Sequence, residues 1–490
     1  MVTGSPTASS LEVNQESNKK WLRAKQFHLS FLNIIGILPS QSISSNKYKL
    51  FIYNIFCVIN MSIKFPIAIL VFCNISHAWG DFSDVSDTVH ITNAVSLDGV
   101  MFTYLFFKRK ELENIFNQMQ SKFMKITEQI VSPQIYQTVV DRTTRRCWIL
   151  STIFITWLSF MIAVWTVLPF SLLFVPHLME VGSTLKNETS YVFMLPMWWP
   201  EELKMTPIYE IVFVIQLFET FYCLTIIAAF GTVYLYIVNG IVMRFEILGY
   251  CIEHTEANIR YWLENASEQS GNIENKLTNS DNQIKFEERE RLQQLEKGIH
   301  EVDNNLQQDF EIEVSLINQL MDTNKTREEE EEEEEEMFRI YLLQWIKIHQ
   351  DLLDYCEEIK IFFNVLLMAF FTTISLNMIF LAFGLAQDSR NSIVAVTLSA
   401  IYAFGCPYLL CLYGDKLTEA SLNIKDAAYS CEWYTKSPVI KRMLQMIIMR
   451  AQSPVVLKAG WYSISLEQFS EIINTVYAYF NIMRENANKN

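Results

Sequence analysis

The sequence predicts an all-α membrane protein with seven transmembrane helices, a cytosolic N-terminus, an extracellular C-terminus and cytosolic helical extensions forming an anchor domain. Three observations carry this. Half of the 490 residues are hydrophobic and only 19% are charged, with 14 Gly and 12 Pro, whereas a soluble chain of this length carries more charge. Apolar runs long enough to cross a bilayer at 1.5 Å per residue recur along the chain. Finally, the basic residues are unevenly shared: eight Lys and Arg lie in the loop expected between Phe107 and Cys147, but two lie in the loop between Phe170 and Ile208. The positive-inside rule puts the first stretch in the cytosol. The second stretch also holds Asn187-Glu188-Thr189, a glycosylation acceptor that has meaning only outside the cell.

Residues 1–47 read as a cytosolic tail and a surface helix. The first twenty are polar and disordered, and Trp21 to Leu38 mixes apolar residues with Arg23 and Lys25. Four spans follow within residues 48–238. The first, Tyr48 to Phe72, is interrupted by Lys64, which must snorkel or face the bundle interior. The second, Val85 to Phe107, contains Asp87, His90, Asn93 and Asp98, a polarity that only other helices or a cavity can accommodate. The third, Cys147 to Phe170, is strongly apolar. Ile208 to Val238 forms the fourth and is long enough to project beyond the membrane.

Residues 239–357 read as cytosolic helical extensions interrupted by an acidic insertion, 265–336, rich in Glu, Gln, Asn and Lys and expected to be disordered or a solvated helix. The formal net charge of −15 describes this insertion: less the nine glutamates of Glu328 to Glu336, it falls to −6. Past it, Ile340, Leu343, Ile346, Leu353, Cys356 and Ile359 give an apolar face leading into the fifth span. Residues 358–412 hold spans five (Ile359 to Leu385) and six (Ser392 to Leu412). Residues 413–459 form a cytosolic loop and helix, with a second apolar face at Ile440, Met443, Leu444, Ile447 and Ile448. Two such faces need partners, hence the anchor domain.

The last span, 460–485, is unlike the others. Glu467, Ser470, Asn474, Tyr477, Asn481 and Glu485 recur at spacings of three and four, drawing one polar stripe down a single face. Because an unpaired polar group costs several kcal/mol in hydrocarbon, the stripe must meet protein or water. It is either a packing seam or the lining of an aqueous path.

The residues exclude several classes. Nine Cys are scattered without CxxC or metal spacing, the seven His are dispersed, and no nucleophile or paired-carboxylate arrangement is present. No enzyme chemistry, cofactor, metal site or nucleic-acid partner is expected. A transporter would often show two similar halves, and no internal repeat is found.

The segment YGDKLTEASLNIKDAAYSCEWY, Tyr413 to Tyr434, resembles the cytosolic signature of insect odorant receptors. The similarity continues through Ala451-Gln452-Ser453-Pro454, Ser465-Leu466-Glu467 and Tyr477-Ala478-Tyr479-Phe480, with Leu195 to Pro200 and Ile348 to Ile359 alongside. The resemblance implies a ligand-tuned subunit of an odorant-gated, non-selective cation channel. Such a subunit assembles with the odorant receptor coreceptor as a heterotetramer in the plasma membrane of olfactory sensory neurons. It also implies a central pore lined by the last helix at Ser470, Asn474, Tyr477, Asn481 and Glu485. The constriction falls at Ile482, with Asn486 one turn outward, where an asparagine departs from the coreceptor's apolar residue. Small volatile odorants would bind in the outer half of the bundle, among His90, Asn93, Phe160, Val164, Trp165, Ile211, Ile215, Phe218, Ser399 and Tyr402. A gustatory receptor of the same superfamily is the alternative. A G-protein-coupled receptor is a lesser one, since the cytosolic end of the third span reads Arg145-Arg146-Cys147-Trp148, without the acidic-Arg-aromatic triplet.

Overall fold

The computed structural model describes residues 8–77, 79, 82–130, 133–174, 195, 197–198, 208–260, 327–386 and 393–487. Asn187 and residues 265–326 of the acidic insertion lie outside the described residues. The described chain is helical apart from one small hairpin. Its helices are α1 (Ala8–Ile34), α2 (Gln41–Ser44), α3 (Lys47–His77), α4 (Phe82–Phe107), α5 (Arg109–Ile130), α6 (Pro133–Phe174) and α7 (Ile208–Glu253). After them come α8 (Arg327–Ala386), α9 (Ile393–Ser430), α10 (Pro438–Ala451), strands β1 (Lys458–Ala459) and β2 (Tyr462–Ser463), and α11 (Leu466–Ala487). Among the described residues, three helical segments are long and apolar enough to cross a membrane: Lys47–His77, Ile208–Glu253 and Glu334–Ala382.

The axis of the fold is α7. A helix hydrophobic on all sides must be surrounded, and every residue from Thr225 to Phe245 is buried. It packs against α1, α4, α5, α6, α8 and α9. Two glycines let neighbours approach closely: a Cβ on Gly231 would come within 2.6 Å of the Phe154 ring, and one on Gly240 within 1.8 Å of Met119 Cε.

Four regions differ from the sequence expectation. First, the tail expected to be disordered over its first twenty residues is helical from Ala8. Tyr136 Oη donates to Asn18 Oδ1 at 2.8 Å, and Trp21 stacks on Tyr236 at 4.6 Å, so tertiary contacts hold this helix where composition would not. Second, the basic stretch before the third span is a helical hairpin, α5 and the start of α6. In α5, Leu112, Ile115, Phe116 and Met119 are buried on one face, a pattern that charge content obscured.

Third, residues 327–336, placed in the insertion left between disorder and a solvated helix, form the first turns of α8. Like-charge repulsion along the glutamate run is offset by Arg339, which pairs with Glu336, and by Glu335, whose Oε1 accepts the Ser437 N–H at 3.0 Å at the start of α10. Fourth, the last helix begins at Leu466 rather than Gly460. Gly460 turns the β1–β2 hairpin at φ 65°, a left-handed conformation that glycine adopts without strain.

The N-terminal half of α8 shares one continuous core with α7, α9 and α10. Phe338, Tyr341, Leu342, Trp345, Leu352, Cys356 and Ile359 line the inner face of α8. Leu343, expected on that face, is 43% exposed, because the aromatic row one position away fills the interior instead. From α10, Ile440, Met443, Leu444 and Ile447 enter the same core, with Ile448 half-buried against it. Burial of each such side chain contributes roughly 1.5–3 kcal/mol.

Candidate functional sites

The first site is an ionic cluster buried among α3, α4 and α7. Lys64 faces inward and is 4% exposed, with Asp98 at 0% and Glu219 at 2%. Its Nζ contacts Asp98 Oδ2 and lies 2.8 Å from Glu219 Oε1. The Tyr222 ring lies 4.7 Å from the same nitrogen and the Phe102 ring 5.9 Å, so aromatic faces close the cluster off. Glu219 was missed in the sequence, although a carboxylate inside an apolar span is itself a functional signal. Tyr222 carries the network on, donating to the carbonyl of Ile35, while Tyr53 Oη donates to Asn33 O at 3.1 Å. The turn after α1 is thereby tied to two spans.

The second site is the outer region expected to hold a ligand. His90 and Asn93, on α4, both turn to α8: Asn93 Nδ2 donates to Thr373 O at 2.9 Å and to Asn377 Oδ1 at 3.0 Å, and His90 bonds Asn377. On α7, Ile211, Ile215 and Phe218 sit on the outward face, at 57%, 39% and 44% exposure, and Phe160 on α6 is 52% exposed. The side chains of Val164, Trp165, Ser399 and Tyr402 lie outside the described residues. The structure therefore joins His90 to Asn93 through Asn377, and does not bring those two together with Ile211 or Phe218.

Two clefts border this region. One, of about 380 Å³, lies between α3 and α7 and is lined by Ile63, Pro66, Leu70, Met197, Ile215 and Gln216. The short segment Leu195 to Trp198 covers its end: Gln216 Oε1 accepts the Leu195 N–H at 3.3 Å, and Trp198 N–H donates to Leu70 O at 3.1 Å. The other, of about 580 Å³, lies between α3 and α4, with Lys64, Ser96, Gly99, Thr103 and Tyr104 in its wall. Among the described residues expected to bind ligand, Ile215 lines the first of these clefts.

The third site is α11. Phe469 and Val476 are buried at 7% each against α8 and α9, with Ile472, Ile473 and Phe480 packed beside them. Ser470, Asn474, Tyr477, Asn481 and Glu485 all face away from the subunit's own core, as does Ile482 at 57% exposure. The Asn486 side chain lies outside the described residues. The helix start is held at several points. Ser465 Oγ accepts the Gln468 N–H at 3.2 Å, as an N-cap does, and Gly460 N–H donates to Asn364 Oδ1 of α8 at 2.6 Å.

One face of α9 also grips this segment. Gly414 lies so close that a Cβ there would come within 2.3 Å of Ile464 O. One turn on, Thr418 Oγ1 donates to Val455 O at 3.2 Å, and Ser421 Oγ accepts the Val455 N–H at 2.9 Å.

Ten residues before the fifth span as the sequence bounds it (Ile359 to Leu385), His349 on α8 is buried, and desolvation with Arg450 nearby pushes its imidazole down to about 4. Among the described residues, no group of three His, Cys, Asp or Glu is placed to hold a metal ion.

Comparison with known proteins places this geometry. A family model described as 7tm Odorant receptor matches residues 81–477. Odorant receptor 67c of Drosophila melanogaster is 28% identical over 151 residues, 31% of this chain and 37% of that protein. The odorant receptor coreceptor of Harpegnathos saltator is 24% identical over 150 residues, 30% of this chain and 31% of that protein. The matched stretch thus spans about a third of the length of these relatives. The solved insect olfactory receptor OR5 from Machilis hrabei, in complex with eugenol, superposes with a TM-score of 0.67. That superposition covers 95% of this chain and 99% of that one at 15% identity, a likeness of fold.

Proposed function

The chain belongs to the 7tm odorant receptor family, and from that we propose that it is the ligand-tuned subunit of an odorant-gated, non-selective cation channel. It crosses the plasma membrane of olfactory sensory neurons seven times, N-terminus inside and C-terminus outside. It assembles with the coreceptor into a heterotetramer.

One observation carries the channel reading. The stripe of Ser470, Asn474, Tyr477 and Asn481 lies on the face of α11 that the subunit's own helices leave open, while the apolar face packs inward. A packing seam within the subunit would bury the stripe; a helix that shares a water-filled path with other subunits exposes it in the single chain. Ile482, on the same open face, forms the apolar constriction, with Asn486 beyond it. Small volatile ligands bind in the outer half of the bundle, walled by His90, Asn93, Phe160, Val164, Trp165, Ile211, Ile215, Phe218, Ser399 and Tyr402. Apolar area supplies most of the affinity in such a site and the few polar groups set orientation.

Co-expression with a coreceptor, recorded against an odorant panel with G-protein signalling blocked, tests the reading. An odorant-evoked cation current that needs this chain is expected. Responses that vanish with G-protein block would favour a metabotropic receptor instead.

A further inference from the structure

The cluster of Lys64, Asp98 and Glu219 has one ammonium for two carboxylates, all at most 4% exposed. If every group carries its charge, one uncompensated negative charge is sealed inside the bundle, at a cost of several kcal/mol. Among the described residues no further cation acts on the cluster: the titratable side chains facing it are Tyr222 and Cys223 from α7, with Tyr53 and Cys57 of α3 beside Tyr222. Each of these adds negative charge or none.

The oxygens tell the same story. Lys64 satisfies Asp98 Oδ2 and Glu219 Oε1, but Asp98 Oδ1 and Glu219 Oε2 are buried without a hydrogen-bond donor. The two carboxyl groups nevertheless lie side by side, because both are bonded to the same Lys64 nitrogen. Two carboxylates placed so closely repel, and contact between two acceptors is made good only by a hydrogen between them.

The geometry points to a binding site for one proton at neutral pH, shared between Asp98 and Glu219 and held in place by Lys64. The proton cancels the excess charge, gives one carboxyl a donor and leaves the other accepting, so a single ion repairs both faults. With it the cluster is a neutral, hydrogen-bonded joint between three helices; without it the joint carries a repelling pair. The cleft along α3 and α4, whose wall includes Lys64, Ser96, Thr103 and Tyr104, is the route by which the proton would exchange.

Infrared difference spectroscopy of the full chain in membranes, in its native assembly, tests this without recourse to channel activity. At neutral pH the parent should show the C=O stretch of one protonated carboxyl that shifts in heavy water. Asp98→Asn and Glu219→Gln each leave one carboxylate against one ammonium, so each should lose that band. Lys64→Met removes the only ammonium, so the band should grow toward two carboxyls per chain. A structural ion pair without a proton would give no band in the parent, and a band unchanged in both amide variants would place the proton elsewhere; either result overturns the site. Should Lys64→Met fail to fold, as the amide bands would reveal, the two amide variants decide the matter.

Discussion

Asp415 of α9 accepts the backbone N–H of Leu466, the first residue of α11, at 2.8 Å. A carboxylate from one helix thus satisfies a free donor at the N-terminus of another and meets its positive dipole end. Removing the carboxylate by Asp415→Ala should cost about 1 kcal/mol at the start of α11, by the measure of other helix caps. The expected outcome is a lower maximal odorant current at matched surface expression, with Asp415→Asn retaining more of it. Identical currents in all three proteins would mean that Ser465 alone fixes the helix start.

On the open face of α11, charge and bulk should matter more than on the packed face. Glu485→Lys should reduce cation current or alter ion selectivity, because a lining charge is poorly screened in a narrow aqueous path. Ile482→Ala should raise resting current. Whole-cell recordings with and without odorant check both. If these variants conduct like the parent while Phe469 and Ile473 variants change permeation, the polar stripe is a seam.

Gly240 offers a prediction about stability. Any side chain there meets Met119 and Trp21, so Gly240→Leu should destabilise the fold by roughly 1–3 kcal/mol, as overpacking does. Thermal unfolding measured by detergent-solubilised size exclusion would show it, whereas Gly405→Leu, with nothing within 4 Å of its Cβ, should be nearly silent.

Acid should weaken the core shared by α7, α8, α9 and α10 through His349. Its imidazole titrates near 4 in the folded protein against about 6.5 unfolded, so the unfolded chain binds the extra proton between those values. The contribution is complete above about pH 6.5 and is lost as pH falls toward 4, by up to roughly 3 kcal/mol. Melting curves at pH 7.5 and 5 should separate, and His349→Phe should narrow the gap.

Much of this was legible in residue patterns. Hydropathy located the apolar helices, and spacing drew the stripe on α11 before its exposure was known. Lys64 could be read as inward-facing because lysine is tolerated in an apolar run on few other terms. Its partners were less accessible: Asp98 was one polar residue among several on α4, and Glu219 lies 155 positions away in the chain. The β1–β2 hairpin was hidden for the same reason, since Asn364, which holds Gly460, is 96 positions distant. Local pattern also took the basic stretch before the third span for a loop and left the glutamate run between disorder and a solvated helix, where partners outside the segment decide that the chain is helical.

The unbroken course of α8 has a mechanical consequence. Its 60 residues contain no proline and span about 90 Å at 1.5 Å per residue. Asn377, bonded to Asn93 of α4, and Asn364, bonded to Gly460 just before α11, lie about 20 Å apart on this one rod. Tilting a stiff lever of that arm by about 3° carries its far end through about 1 Å. A displacement too small to repack the outer helices would still move the hairpin by a sizeable part of a hydrogen-bond length. Glycines at Val365 and Ala369, which soften the rod between the two anchor points, should therefore blunt the current that an odorant evokes while leaving its binding in place.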